Sequence, residues 1–220
     1  MRQFKVINQL QLIDSILMCK KPSGRSFQKA HYRQGDLDGA CGAYSIAMVL
    51  NILGVFEADN IYSDSNSGDN RFAERRLIKA LNEQGLYRDG LDSNEIRQIL
   101  TTNYKKYVNV ESYKKNEINL QKQIINFIEK NIPTILRIDY DKYHAHWIVA
   151  VGYELDDNNE ISSFLTLDPG VGSPTICPWN GILSSDKLPR KTYGYTYHTT
   201  ESVNVDITEK VTKIHAKIME

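Results

Sequence analysis

The chain has 220 residues, enough for one domain with two lobes around a cleft, and its 27 Lys and Arg balance its 27 Asp and Glu. A formal charge of zero gives no global field to draw nucleic acid or an anionic membrane surface. No apolar stretch approaches the roughly 18 residues of a membrane span, and Gln9, Gln11 and Asp14 interrupt any signal-peptide core behind Met1, so the expectation is a soluble protein made in the cytoplasm.

From the N-terminus, Phe4, Ile7, Leu10, Ile13 and Leu17 recur at three- and four-residue spacing, which predicts a helix over 4–18. Polar Lys20 to Gln34, with Pro22 and Gly24, reads as a connection. Next comes Cys41-Gly42-Ala43-Tyr44 through Leu53, a helix apolar on nearly every side apart from Ser45 and Asn51, hence central and buried, and ended by Gly54. Ser63 to Asn70 is a polar loop. Two helices follow, one around Phe72 to Gln84 and one capped by Ser93 and running to about Thr101. A further helix starts at Asn116 or Glu117, turns Ile118, Ile124, Ile125 and Ile128 inward and stops before Pro133.

Beyond residue 133 the apolar period becomes two. Strands are expected over Thr134 to Asp139, His146 to Leu155, Ile161 to Asp168, Lys191 to Thr199 and Ser202 to Ile207, while Glu209 to Met219 fits strand or helix. Helices followed by strands indicate one α+β domain over 1–220, a helical lobe of about 1–132 packed on an antiparallel sheet lobe of about 133–220.

The chemistry starts at Cys41. A thiol in the first turn of a helix sits among unpaired backbone N–H groups and positive dipole potential, conditions that favour an ionised nucleophile. Three cysteines are too few for a disulfide framework, and Cys19 and Cys177 read as structural or incidental. The base comes from a hairpin. With a turn centred on Asp157 in Asp156-Asp157-Asn158-Asn159, antiparallel pairing sets His146 directly opposite Asp168, on one face of the sheet. A slip of one residue would send the carboxylate to the other face. Cys41 as nucleophile, His146 as general base and later acid, and Asp168 as the group that orients the ring make a working set. The backbone N–H of Cys41 and the side-chain amide of Gln34 can supply the donors an oxyanion needs. His144, two residues before His146, competes for the role of base, but local pattern favours His146. Trp147 and Trp179 read as packing residues, with Trp179 also placed to wall the cleft, and Gly39 and Gly42 as backbone needs at the helix entry.

The order of Gln34, Cys41-Gly42 at a helix start, His146 on a strand ending in Val151-Gly152-Tyr153, then Asp168-Pro169 resembles the papain-like cysteine peptidases. Within them it is most similar to the bacteriocin-processing, double-glycine-leader branch, over Gln34 to Leu53, His146 to Tyr153 and Leu167 to Pro169. The resemblance implies a papain-like fold with its cleft between the lobes, no metal or organic cofactor, and for Gln34, Cys41, His146 and Asp168 the roles of oxyanion donor, nucleophile, base and orienting acid. It also implies cleavage after glycine in an exposed Gly-Gly segment of a protein or peptide. Six residues separate Gln34 from Cys41, one more than the family spacing.

As a stand-alone domain without the transporter that usually follows, the chain is expected to be a bacterial toxin or effector protease. It would be delivered to another cell without a cleaved signal peptide and held in check by an immunity protein. Leader processing, and an amidase or deamidase of the same fold, are the enzyme alternatives. From another class come a non-catalytic binding module and a zinc site built from Cys41, His144, His146 and Asp168. A thiol-directed inhibitor separates hydrolase from binding module, and metal analysis separates both from zinc.

Overall fold

Asp14 and Ser15 both take positive φ, 49° and 60°, the left-handed pair of a two-residue hairpin turn. The computed structural model describes residues 3–35, 39–57, 60, 73–83, 90–115, 117, 119–185, 195–198 and 201–214. In it the expected helix over 4–18 is instead three strands, β1 (Gln3–Val6), β2 (Gln11–Ile13) and β3 (Ile16–Lys20). Turn chemistry decides the matter: Ile13 pairs with Ile16 across Asp14-Ser15, which no helix could accommodate. Ile7, Leu10 and Leu17 are still buried as the spacing requires, but Ile7 and Leu10 from the turn between β1 and β2 and Leu17 from β3, and Phe4 is left 56% exposed. The expected connection over 20–34 likewise contains β4 (Phe27–Lys29), which pairs with β3 to complete a three-stranded sheet.

The central helix is α1 (Cys41–Ile52), buried at every position except Tyr44. Gly54 at φ 66° turns the chain away after it. Among the described residues, α2 covers Ala73–Glu83, while the predicted start at Phe72, its end at Gln84 and the Ser63 to Asn70 tract lie outside them. The third helix, α3 (Ser93–Asn103), is capped by Asp92 rather than Ser93. The Asp92 carboxylate accepts from the Glu95 N–H at 2.8 Å and Glu95 returns the bond to the Asp92 N–H at 2.7 Å. Freed from capping, the Ser93 hydroxyl donates to buried Glu209 at 2.8 Å.

Helix α4 (Leu120–Glu129) begins at an Asn119 cap, later than Asn116 or Glu117, and buries Leu120, Ile124, Phe127 and Ile128. Asn116 and Ile118 fall outside the described residues. Between α3 and α4 runs β5 (Val108–Lys114), a strand the helical reading of this half had not included.

The later strands are β6 (Thr134–Asp139), β7 (Ala145–Leu155), β8 (Ile161–Leu167), β9 (Gly181–Ser184), β10 (Tyr195–Tyr197) and β11 (Glu201–Lys213). Strand β10 and the turn residue His198 are the described part of the stretch expected over 191–199. Strand β11 resolves Glu209 to Lys213 as strand, with 215–220 outside the described residues. Pairing runs β7-β6-β11-β10-β9-β8 and returns to β7, so the sheet closes into a barrel-like ring. To it β1 adds on β7 and β5 on β11, so the sheet also draws on the chain before residue 132. The architecture is α+β, with α1 packed against β7. No helix among the described residues is long and apolar enough to cross a membrane.

The β7–β8 register departs from the expected one by two residues. Asp156 closes the turn by accepting from the N–H groups of Asn158 and Glu160 at 2.8 and 2.9 Å, so the turn centres on Asn158 rather than Asp157. Val149 then pairs with Leu167 and Ala150 with Thr166, which sets the position of Asp168 level with Ile148 instead of His146. Irregularities between Ala150 and Gly152 and between Glu154 and Leu155 shift the register in opposite directions. Their cancellation preserves the even offset, and with it the common face of His146 and Asp168.

Candidate active site

Cys41 is the first residue of α1, 9% exposed. No side chain caps the helix, and its first intrahelical bond, from Tyr44 N–H to the Ala40 carbonyl, leaves the N–H groups of Cys41, Gly42 and Ala43 without an intrahelical acceptor. Gly42 is required by close packing. A Cβ there would stand 2.9 Å from the Leu91 Cβ and 3.3 Å from Trp147 Cδ1, so the missing side chain lets α1 seat against β7. Trp147 is fixed in turn by its indole N–H, which donates to the Leu91 carbonyl at 2.7 Å, while the Ser45 hydroxyl donates to the Trp147 carbonyl at 3.1 Å. Trp147 is thus a packing residue, as read from the sequence.

His146, the second residue of β7, presents Nε2 to Asp168 Oδ1 at 2.7 Å. Asp168 directly follows β8, so the contact is made diagonally across the ladder rather than between opposed residues. The imidazole lines the same cleft as Cys41, whose thiol donates to the Gly39 carbonyl at 3.9 Å. With Nε2 engaged by the carboxylate, Nδ1 is the nitrogen left for sulfur. Burial works to lower the His146 pKa, but the hydrogen bond that its Nε2 makes to Asp168, the Asp168 charge and the neighbouring Cys41 prevail and push it up to about 10. Asp168 feels the converse: burial opposes its charge, yet His146, then His198 and then the Tyr197 hydroxyl hold it well below the usual carboxylate range. The arrangement favours an imidazolium beside the Asp168 carboxylate.

Asp168 is held on all sides. Oδ1 also accepts from the Gly170 N–H at 2.6 Å, and Oδ2 from the Tyr197 hydroxyl at 2.5 Å. Asn180 accepts from the Asp168 N–H at 2.7 Å and donates to its carbonyl at 2.9 Å and to that of Gly172 at 3.0 Å. His31 Nε2 lies 2.8 Å from the Asp168 carbonyl and its Nδ1 lies 3.0 Å from the Ser173 hydroxyl. Burial keeps the His31 pKa below its ordinary value, so a neutral ring donating to the carbonyl fits. None of His31, Asn180 and Tyr197 emerges from the sequence reading. Their signals are weak: a histidine in a polar stretch, an asparagine behind Trp179, and a tyrosine in a strand where alternate aromatics read as core.

Gln34 shares the Cys41 cleft, and its backbone N–H donates to the Pro169 carbonyl at 2.8 Å. Its side-chain Oε1 is buried and meets no partner among the described residues. Residues 36–38, where the longer Gln34 to Cys41 spacing runs, lie outside them. The cleft itself, about 560 Å³, has Gly39, Gly90 and Leu91 near the thiol and Arg137 and Tyr143 near the histidine.

His144 is not part of this cluster. It precedes β7, is largely exposed, and its Nδ1 meets Asp141 Oδ2 at 2.7 Å. A zinc site using it with Cys41, His146 and Asp168 is therefore not assembled, and no group of three or more metal-binding side chains is found among the described residues. Trp179 stacks on Phe4 and lines a separate cavity of about 270 Å³ with Cys177 and His198, not the Cys41 cleft. Cys19 is buried with its thiol pushed up to about 12, donating to the Asn51 carbonyl at 3.6 Å.

The sequence profile described as Peptidase_C39 like family matches residues 20–176. No curated protein matches the chain. One similar solved structure, "Crystal structure of UfSP from C.elegans", is 16% identical with a TM-score of 0.42, over 97% of this chain and 34% of that one. This chain thus spans about a third of that protein's length.

Proposed function

The chain belongs to the Peptidase_C39-like family, a papain-like cysteine peptidase domain, and from this premise we propose that Cys41, His146 and Asp168 are its catalytic triad. The observation that carries the reading is the His146 ring, joined at one nitrogen to Asp168 Oδ1 at 2.7 Å and lining one cleft with Cys41 at the start of α1.

In the proposed cycle the Cys41 proton passes to His146, and the thiolate attacks the scissile carbonyl carbon to form a C–S bond. Negative charge moves to the carbonyl oxygen, where the Cys41 N–H and the Gln34 side-chain amide stabilise it. Collapse breaks the C–N bond as His146 returns the proton to the leaving amine. Water, deprotonated by His146, then attacks the thioester, and the second tetrahedral intermediate expels Cys41 and releases the new carboxylate. Throughout, Asp168 holds Nε2–H and the tautomer that follows from it.

We further propose a protein or peptide substrate cut after glycine in an extended Gly-Gly segment. The resemblance of the motifs supports this, as does a cleft whose wall beside Cys41 includes Gly39 and Gly90. An open cleft of this size also suits a role as effector protease with an immunity protein that plugs it, which co-purification from the native host tests. The central experiment compares proteomes exposed to the wild-type chain and to Cys41→Ala, reading new N-termini. Cuts behind Gly-Gly made by the wild type and absent with Cys41→Ala are expected. The same cuts from both proteins would remove Cys41 from the chemistry.

A further inference from the structure

Only one oxygen of Asp168 faces His146. The other, Oδ2, is taken by the hydroxyl of Tyr197 at 2.5 Å, a residue 1% exposed on β10. We propose that Tyr197 is a positioning residue for the Cys41–His146 pair, its hydroxyl fixing the rotation of the Asp168 carboxylate so that Oδ1 stays on His146 Nε2. The inference rests on the triad reading above and adds a fourth side chain to it.

Three features support it. The first is chemical: a carboxylate is acceptor-only, so the hydroxyl must be the donor, and it is the shortest contact Asp168 makes. Burial and then the Asp168 charge drive the Tyr197 pKa upward, so the proton remains available for donation across the working range. Steric accommodation is the second. A Cβ at Gly181 would lie 2.8 Å from Tyr197 Oη and 2.4 Å from Thr166 Oγ1, so the absence of a side chain on β9 makes room for the hydroxyl.

The third is the difference in contact length at Oδ2. The other group facing Oδ2 is His198, whose Nε2 stands 3.6 Å away and also helps hold Asp168 charged, but at a length that fixes the carboxylate rotation less closely than the 2.5 Å bond from Tyr197. The remaining titratable groups around the pair are His146 from β7, Cys41 from α1, Tyr140 from the loop after β6 and His31, which bonds the Asp168 carbonyl. None of these donates to Oδ2. Removing the phenol oxygen leaves Oδ2 with only the longer His198 contact, which eases protonation of Asp168, weakens the imidazolium and thereby the thiolate.

The test needs no substrate. Alkylation of the full-length chain by iodoacetamide is followed against pH, with Cys41 read separately from Cys19 and Cys177 by peptide mass. In Tyr197→Phe the acid-side midpoint is expected to rise by about one pH unit, slowing Cys41 alkylation on that limb about tenfold. Above pH 10, where His146 has lost its proton, the rates should agree within about twofold. Gly181→Ala, which displaces the hydroxyl without deleting it, should move the midpoint the same way and add nothing in the Tyr197→Phe background.

An unmoved or lowered midpoint in Tyr197→Phe that melts like the wild type overturns the proposal, as does a full second shift in the double variant. Should Tyr197→Phe not fold, Gly181→Ala decides by the same midpoint. Failure of the triad reading looks different: wild-type Cys41 would then alkylate as an ordinary thiol with a midpoint near 8.5, indifferent to His146→Ala.

Discussion

Cys41 owes its place to one helix start and the packing of Gly42 against Leu91 and Trp147, with no side chain capping the helix. His146 and Asp168 instead stand on neighbouring strands of a closed ring, and Asp168 alone is bonded by His146, Gly170, Tyr197, Asn180 and His31. The nucleophile side is lightly tied and open to the cleft, as a group that must form and break a covalent bond requires. The base side is heavily tied, as a group that must hold charge in one geometry requires.

The contrast is broken most severely at its junction. His146→Ala removes the contact between the two sides and leaves Asp168 buried without its partner, so a loss of cleavage of about a thousandfold or more is expected. A specific rate within tenfold of wild type in a peptide assay would mean that the two sides do not act together.

Gln34→Ala comes next. It deletes a donor from the lightly tied side, and a fall in kcat of about ten- to a hundredfold with KM little changed is expected from the loss of one oxyanion contact. An unchanged kcat would assign the second donor to another group.

Smaller, and read in melting rather than turnover, is the pH dependence of the tied side. His146 is raised to about 10 from 6.5, so its contribution to stability is complete below about pH 6.5 and is lost as pH climbs through 10. Asp168 is depressed, so its contribution is present above about pH 3.8 and is lost only in stronger acid. The gap in Tm between wild type and His146→Ala should therefore narrow steadily from pH 6.5 to 10. A constant gap would show that the ring is held by packing alone. Smallest of all is His144→Ala, expected to leave cleavage within about twofold because that side chain is turned to Asp141. A loss matching that of His146→Ala would reverse the choice of base.

The same division explains what could be read from the sequence. The buried helix behind Cys41 was legible because its apolar run is long and ends at a glycine in the left-handed region. So were β6, β7 and β8, whose apolar, β-branched-rich runs are bounded by turn residues and buried over most of their length. The first twenty residues were not, since a three- and four-residue spacing is also produced by short strands when turn residues fall between them. The hairpin of His146 and Asp168 was legible in its outcome but not in its detail, because an Asp-rich turn offers two adjacent centres and only the bonds of Asp156 choose between them. Tyr197, Asn180 and His31 were illegible for a different reason: each reaches Asp168 across more than ten positions of chain, and no local pattern encodes that meeting.

The closure of the strand ring has a consequence in time. Cys41 leaves the ribosome more than a hundred residues before His146 and Asp168, and the ring that positions them is completed only when β11 pairs with β6 and β10. Contacts so distant along the chain form late. A nascent chain thus carries its thiol without a partner, and the capacity to cut arises with the last strand rather than with the nucleophile.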